Sequence, residues 1–291
     1  MKYFIAGREV HSDRDLQTGP LENYYELGWE VISTHLLAKR FINLKKLNCN
    51  EDIVVTCTGR EFLYSKQIKT INWKEFEKIR KQQVVEQYDS IEYFLETIFQ
   101  ETKDFQELYF VNSKPKYRYF DEDFDLITNL DFNTSIVPKT KFICLNRRIR
   151  KHREQLNMPD DYSLGLVEKL QQEYKLPIYI TGFHNDVFKQ LRDIHIVNLQ
   201  DWCSLLNSEN CLFAIQNQTG TANLTQICAK TGLVNVILDM EGAHFMPIYA
   251  NGRRPDVLGK SVNFKKTKNL IFYRMPDYSE ILTQLNQYVK S

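Results

Sequence analysis

The chain has no Cys-x-x-Cys pair, no Gly-x-Gly-x-x-Gly, no Walker-type phosphate loop and no Gly-x-Ser-x-Gly. Dinucleotide oxidoreductase, NTPase and α/β-hydrolase readings therefore lack their usual support. Six cysteines stand at 49, 57, 144, 203, 211 and 228, most of them inside apolar runs. Without paired spacing they read as buried reduced thiols rather than disulfides or zinc ligands, which fits a reducing cytoplasm. Neither charge is in excess: 38 Lys and Arg face 37 Asp and Glu, a net of +1. Such a balance gives no field to hold nucleic acid or an anionic membrane, so neither is expected as a partner. No run approaches ~18 apolar residues, so no membrane span is expected. The first apolar run, 3–6, is too short for a signal peptide and reads as a strand.

What is present suits a folded enzyme. An apolar fraction of 43% over 291 residues supports two cores of ordinary size. The 18 Phe and 16 Tyr fit large cores or a cleft that stacks on sugars or bases. Strands are expected at 3–6, 52–58 and 107–111, with helices over 21–41, 73–87, 90–101 and 124–130. The segment 133–140 has the turn-rich composition of a linker. Beyond it the alternation is cleaner: strands at 141–145, 177–182, 195–197, 211–215 and 233–238, with helices over 162–174, 185–191 and 200–207. That alternation predicts a doubly wound parallel sheet. The last segment, 276–289, reads as an amphipathic helix that Pro276 and Asp277 can start.

The stretch from Cys211 to Leu238 carries most of the functional signal. An apolar strand breaks into a polar turn, Gln218-Thr219-Gly220-Thr221, and then a helix with Leu224, Ile227 and Cys228 at helical spacing. Thr231-Gly232 ends that helix and a second apolar strand follows. The turn lies at a strand's C-terminal end, where open parallel sheets bind ligands. Backbone N–H groups and hydroxyls of Thr219, Gly220 and Thr221 at a helix start favour a phosphate, although plain turn chemistry also uses Gly and Thr.

Other candidates fall on the same rim. Asn146-Arg147-Arg148 follows the strand at 141–145, where Arg147 and Arg148 could grip a diphosphate bidentately. Thr181, Gly182 and His184 end the next strand; Gly182 permits close approach and His184 could donate to phosphate or ribose. Asn198 ends the following one, where it could meet a nucleotide base. In the early loop, His11, Asp13 and Glu22 are candidates for a general base on an acceptor hydroxyl, and Glu22 equally suits a helix start. Asp121 and Asp123 lie in a polar, Tyr-rich stretch and read as a solvated acidic turn rather than metal ligands. No metal site and no cofactor are expected.

Residues 142–239 resemble the donor-binding domain of GT-B glycosyltransferases. Gln216 to Leu224, with Thr219-Gly220-Thr221 and Asn223, is similar to the small Thr-Gly turn of heptosyltransferase-like enzymes, with Gln218 where the family usually has Asp. Asn146-Arg147-Arg148 is similar to the Arg-rich donor loop of fucosyltransferases of that architecture. The resemblance implies an α/β chain of two facing Rossmann-like domains with a cleft between them. Residues 1–138 would form the acceptor side, 139–275 the nucleotide-sugar domain, and 276–291 a helix crossing back to the first. It implies a nucleotide-diphospho-sugar donor, a glycan or lipid-linked saccharide acceptor and no required metal. The expected activity is an inverting transfer. A nucleotide-sugar epimerase of the same fold, a metal-dependent GT-A-like transferase and a non-catalytic saccharide-binding module are the alternatives.

Overall fold

The structure is a computed structural model. It describes residues 3–7, 35–43, 47–82, 87–88, 109–111, 114–116, 128–147, 157–182, 185–217, 220–238, 267–272 and 274–289. The chain divides into two compact units, Met1–Asp131 and Phe132–Ser291. Segment 133–140, expected to be a linker, carries a 3-10 turn at Thr134–Ile136 and is docked on the second unit. There the Asn133 N–H donates to Ser204 Oγ at 2.8 Å, and Asn210 Nδ2 donates to the Pro138 carbonyl at 2.8 Å.

In the first unit, β1 (Tyr3–Ile5), β2 (Ile53–Thr56), β3 (Thr70–Asn72) and β4 (Gln87–Tyr88) form a parallel sheet in the order β3-β2-β1-β4. Between them come α1 (His35–Asn43) and α2 (Trp73–Gln82). The helix expected over 73–87 stops at Gln82, and the chain is back in the sheet at Gln87. A reciprocal cap starts α2: Asn72 Oδ1 accepts from the Glu75 N–H at 3.0 Å while Glu75 Oε2 accepts from the Asn72 N–H at 3.4 Å. Tyr3, Ile53, Val55, Trp73 and Phe76 make the core under it. A separate antiparallel pair joins β5 (Tyr109–Val111) to β6 (Lys114–Lys116).

The second unit contains β7 (Phe142–Arg147), α3 (Asp160–Tyr174), β8 (Ile178–Gly182) and β9 (Ile194–Ile196). It continues with α4 (Leu199–Leu206), β10 (Cys211–Asn217), α5 (Gly220–Cys228), β11 (Leu233–Leu238), β12 (Thr267–Phe272) and α6 (Tyr278–Val289). The six strands are parallel and ordered β12-β11-β10-β7-β8-β9. This is the Rossmann order: three strands wind outward from β7 and three from β10, so the winding reverses between these two. Every residue of β7 and β11 is buried, as central strands covered on both faces require.

Strand parity gives the sheet two unlike faces. Ile143, Leu145, Ile178, Ile180, Phe213, Ile215, Val234, Val236 and Leu238 join Leu166, Val167 and Leu170 of α3 and Ile281 and Leu285 of α6 in one aliphatic core. Among the alternate residues, Cys144, Asn146, Thr181, Gln216, Asn235 and Asn269 carry polar or thiol groups beside the apolar Ala214, Leu233 and Ile237. Several bond to side chains of α5 or to one another, as the distances below show.

Helix ends follow their sequences. Asp160 and Asp161 place two carboxylates in the first turn of α3. Lys175 ends that helix in the left-handed region (φ 53°), its N–H on the Gln171 carbonyl. The helix expected over 185–191 is only a 3-10 turn, Asn185–Phe188. The terminal helix α6 packs on α3 of its own unit. Tyr162 Oη donates to the Pro276 carbonyl at 2.7 Å, the Tyr162 and Tyr278 rings lie 5.0 Å apart, and Tyr174 Oη bonds Asn286 Oδ1 at 3.1 Å. Gly165 makes room there, because a Cβ would stand 2.8 Å from Tyr278 Cζ. The expected helix over 90–101, the first part of that over 21–41 and most of that over 124–130 lie outside the described residues. Among the described residues, no helix is long and apolar enough to cross a membrane.

Candidate functional site

The winding reverses between β7 and β10, and the C-terminal strand ends at such a reversal are where a doubly wound sheet takes its ligand. Four predicted residues reach this rim. Thr181 and Gly182 end β8, Gly220 is the first residue of α5, and Thr221 follows it. Asn146 of β7 lies in register with Gln216 of β10 on one side and Thr181 of β8 on the other. Asn217, the last residue of β10, is fully buried.

Buried hydrogen bonds tie α5 to the sheet here. Thr221 Oγ1 donates to Asn146 Oδ1 at 2.7 Å, and Asn146 Nδ2 donates to the Thr181 carbonyl at 3.3 Å. One turn on, Thr225 Oγ1 donates to the Thr221 carbonyl at 2.8 Å. Gln216 Nε2 reaches both Thr225 Oγ1 at 2.9 Å and Asn235 Oδ1 at 2.7 Å. The network ends on β12, where Asn235 Nδ2 donates to Asn269 Oδ1 at 3.1 Å and Thr267 Oγ1 to Gln226 Oε1 at 2.7 Å. The Thr221 hydroxyl, expected to face a phosphate, has its one proton on Asn146. What the start of α5 offers an anion is backbone N–H and the positive end of the helix dipole.

Arg147 is placed differently from the expectation. It follows Asn146 in β7, so alternation turns its side chain to the opposite, aliphatic face. Its guanidinium is fully buried, ion-paired with Asp160 at the start of α3, hydrogen-bonded through Nε to the Met158 carbonyl at 3.3 Å and 5.6 Å from the Phe188 ring centroid. In this arrangement it anchors the entry of α3 and presents no surface to a ligand. Gly182 is required where it stands: its φ is +122°, and a Cβ would run into the Arg147 carbonyl of the neighbouring strand.

Asn198, expected to meet a base, caps α4. Its Oδ1 accepts from the Asp201 N–H at 2.8 Å and its Nδ2 donates to Asp201 Oδ2 at 2.8 Å. Its strand, β9, is the edge of the sheet farthest from β12. His11, Asp13, Glu22, Arg148, His184, Gln218 and Thr219 lie outside the described residues, as do Asp121 and Asp123. Asn223 lies in α5, but its side chain is outside the description.

Asn146, Gln216 and Thr225 join the rim through hydrogen bonds that the sequence reading does not assign them. For Asn146 and Gln216 the signal is an amide at the end of an otherwise apolar strand, after Phe-Ile-Cys-Leu and Leu-Phe-Ala-Ile respectively; Thr225, on α5, carries no such signal. The cysteines near this face are buried thiols. Burial pushes the Cys144 and Cys203 thiols well up, and hydrogen bonds with Cys211 and Cys228 add to it. Among the described residues, no group of three or more His, Cys, Asp or Glu could hold a metal ion.

No family model matches the chain, and no curated protein matches it in sequence. Solved structures do. The chain is similar to the E. coli heptosyltransferase WaaC with ADP at 10% identity and TM-score 0.46, covering 99% of this chain and 100% of that one. It is similar to E. coli ADP-heptose lps heptosyltransferase II at 11% identity and TM-score 0.49, covering 100% and 99%. It is also similar to the glycosyl transferase family 9 structure from Veillonella parvula DSM 2008 at 9% identity and TM-score 0.49, covering 99% and 97%.

Proposed function

We propose that this chain is a GT-B glycosyltransferase that moves a sugar from a nucleotide-diphospho-sugar to a glycan or lipid-linked saccharide, with inversion and without a metal. The observation that carries the reading is the start of α5 at the winding reversal between β7 and β10. A diphosphate there meets N–H groups of the first helical turn and the helix dipole, each such contact worth ~0.3–1 kcal/mol and more when water is excluded. The same groups act on the leaving diphosphate as its charge builds, which is where fixed dipoles lower a barrier most. Gly182 keeps the neighbouring strand end free of a side chain, which suits close approach of a bulky donor.

The acceptor falls to the first unit, with the proton taken by a carboxylate or imidazole of the early loop: Asp13, Glu22 or His11. Arg148, His184, Gln218, Thr219 and Asn223 complete the proposed donor set with Thr181, Gly182, Gly220 and Thr221. Arg147 and Asn198 act behind it, through the entry of α3 and the cap of α4. The second unit, Phe132–Ser291, forms the donor side and the first, Met1–Asp131, the acceptor side.

The test is calorimetric titration of the full chain with ADP, GDP, UDP and CDP, with and without EDTA. Binding of one of them that survives EDTA supports the reading, and so does release of that nucleotide from its diphospho-sugar in the presence of acceptor. No binding of any of the four overturns it. Binding that needs Mg²⁺ or Mn²⁺ overturns its metal-independent part and moves attention to Asp121 and Asp123.

A further inference from the structure

We infer that Asn146 is a positioning residue: through Thr221 it sets where the first turn of α5 stands at the winding reversal. The consequence for ligand binding rests on the function proposed above; the mechanical part does not. Most helices on a parallel sheet are held by apolar packing, which resists separation but yields to sliding. The sheet side of α5 is different near its start. Thr221 and Thr225, one turn apart, both take part in buried side-chain hydrogen bonds that lead into β7 and β10. Apolar packing resumes beside them with Ala222 against Ile237 and Ile271.

These bonds are directional. Oγ1 of Thr221 and Oδ1 of Asn146 are 2.7 Å apart and buried, so sliding of the helix by about an ångström would stretch the bond past its normal range. Asn146 is itself held by its second contact, from Nδ2 to the Thr181 carbonyl, so its Oδ1 cannot turn away. Residues 146, 221 and 181 are each at least nine-tenths buried. The link thus runs from β8 through β7 to the first turn of α5, bridging the reversal point from one side to the other. Arg147, next in sequence, fixes the same strand end from the opposite face through Asp160 and Met158. Parity therefore divides the work: Asn146 locates α5 and Arg147 locates α3.

The experiment compares the full-length wild type with Thr221→Ser, Asn146→Leu and the double variant Asn146→Leu/Thr221→Val. The double variant removes both partners of the Thr221–Asn146 bond with little change of shape, so its thermal midpoint returns part of the way from Asn146→Leu toward wild type, the Thr181 carbonyl having lost its Asn146 donor in both. Thr221→Ser retains the hydroxyl. Two readouts are taken. The first, which needs no ligand, is amide hydrogen exchange of the peptide spanning the first turn of α5. It is expected to quicken ~10-fold or more in Asn146→Leu and in the double variant, and to stay near wild type in Thr221→Ser. The second is affinity for whichever of ADP, GDP, UDP and CDP the wild type binds. It is expected to fall ~5–10-fold in the same two variants, even in the double variant whose stability has partly recovered. A packing role alone would let exchange and affinity recover along with stability in the double variant, and that result overturns the inference. If the wild type binds no nucleotide, the proposed function falls, and hydrogen exchange still decides whether Asn146 holds the helix start.

Discussion

Replacing Lys39 with Met should stabilise the protein at neutral pH and weaken it at high pH. Lys39 lies on α1 and is fully buried, with Nζ donating to the Asn129 carbonyl at 3.0 Å. Burial first, and the charge of Lys66 second, bring its pKa down from 10.5 to about 7. That fall corresponds to on the order of 5 kcal/mol at ~1.4 kcal/mol per decade. The sign follows from proton counts. Between pH 7 and 10.5 the unfolded chain binds the proton and the folded chain does not, so stability rises with pH across that window. Below pH 7 the penalty is full and constant; above 10.5 it is gone. In Lys39→Met the penalty is absent at every pH, and the Asn129 carbonyl loses its donor at a cost of ~1–2 kcal/mol. The variant should therefore be ~3 kcal/mol more stable than wild type at pH 7 and ~1 kcal/mol less stable at pH 10.5. His35, one turn earlier on α1, is held well below its usual pKa by its own burial and then by Lys39. Removing Lys39 lets the imidazole titrate higher, so the acid-side loss of stability, which starts near the ordinary histidine pKa of 6.5 in both proteins, should be smaller in the variant and level off at a higher pH. Urea unfolding followed by circular dichroism at pH 6, 7, 9 and 10.5 reads both effects. A difference between variant and wild type that does not change with pH, or a variant less stable at pH 7, refutes the reasoning.

Four further outcomes can be checked on the same preparations. Gly182→Ala combines a φ of +122° with a collision on the Arg147 carbonyl, and should cost ~2–4 kcal/mol in urea unfolding. Asp160→Asn should destabilise more than Arg147→Met, because the buried guanidinium loses its counter-charge in the first case while the second leaves only an exposed carboxylate; thermal midpoints of the two decide. Asn198→Ala should cost ~1 kcal/mol through the lost cap of α4 and leave nucleotide affinity unchanged, so a drop in affinity would return Asn198 to the binding site. Iodoacetamide on the native protein should modify Cys49 alone, since the other five thiols are buried; mass spectrometry of the intact chain counts the adducts.

The strands that sequence made legible are those buried on both faces. Ile-Val-Val-Thr of β2, Phe-Ile-Cys-Leu of β7 and Leu-Val-Asn-Val-Ile-Leu of β11 announce themselves because a parallel sheet wants unbroken apolar runs. Edge strands hide. β3 has three half-buried residues, Thr-Ile-Asn, and β12 turns Thr267 and Asn269 toward α5 where a pattern search looks for aliphatics. The turn before α5 was readable, since strand, polar turn, Gly and amphipathic helix is a local signature. The role of Arg147 was not. A run of cations after a strand looks like an anion grip, and only strand parity together with Asp160, thirteen residues on, reveals the inward turn. Asn198 is ambiguous for a related reason: an Asn at a strand end is also the residue that starts the next helix, and Asp201 three positions later marks it as a cap.

The unlike faces of the six-stranded sheet divide the second unit's tolerance of change by the parity of residue number along each strand. Positions such as Ile143, Ile180, Val234 and Val236 sit in aliphatic packing, where one branched residue can replace another with modest loss. Residues of the other parity in the same strands, Asn146, Thr181 and Asn235, sit among donors and acceptors with fixed directions, where no hydrocarbon is an equivalent. Thermostabilising substitutions can therefore be gathered on the α3 and α6 side without disturbing the rim. Drift on the α5 side must proceed by paired exchanges that keep each donor with an acceptor.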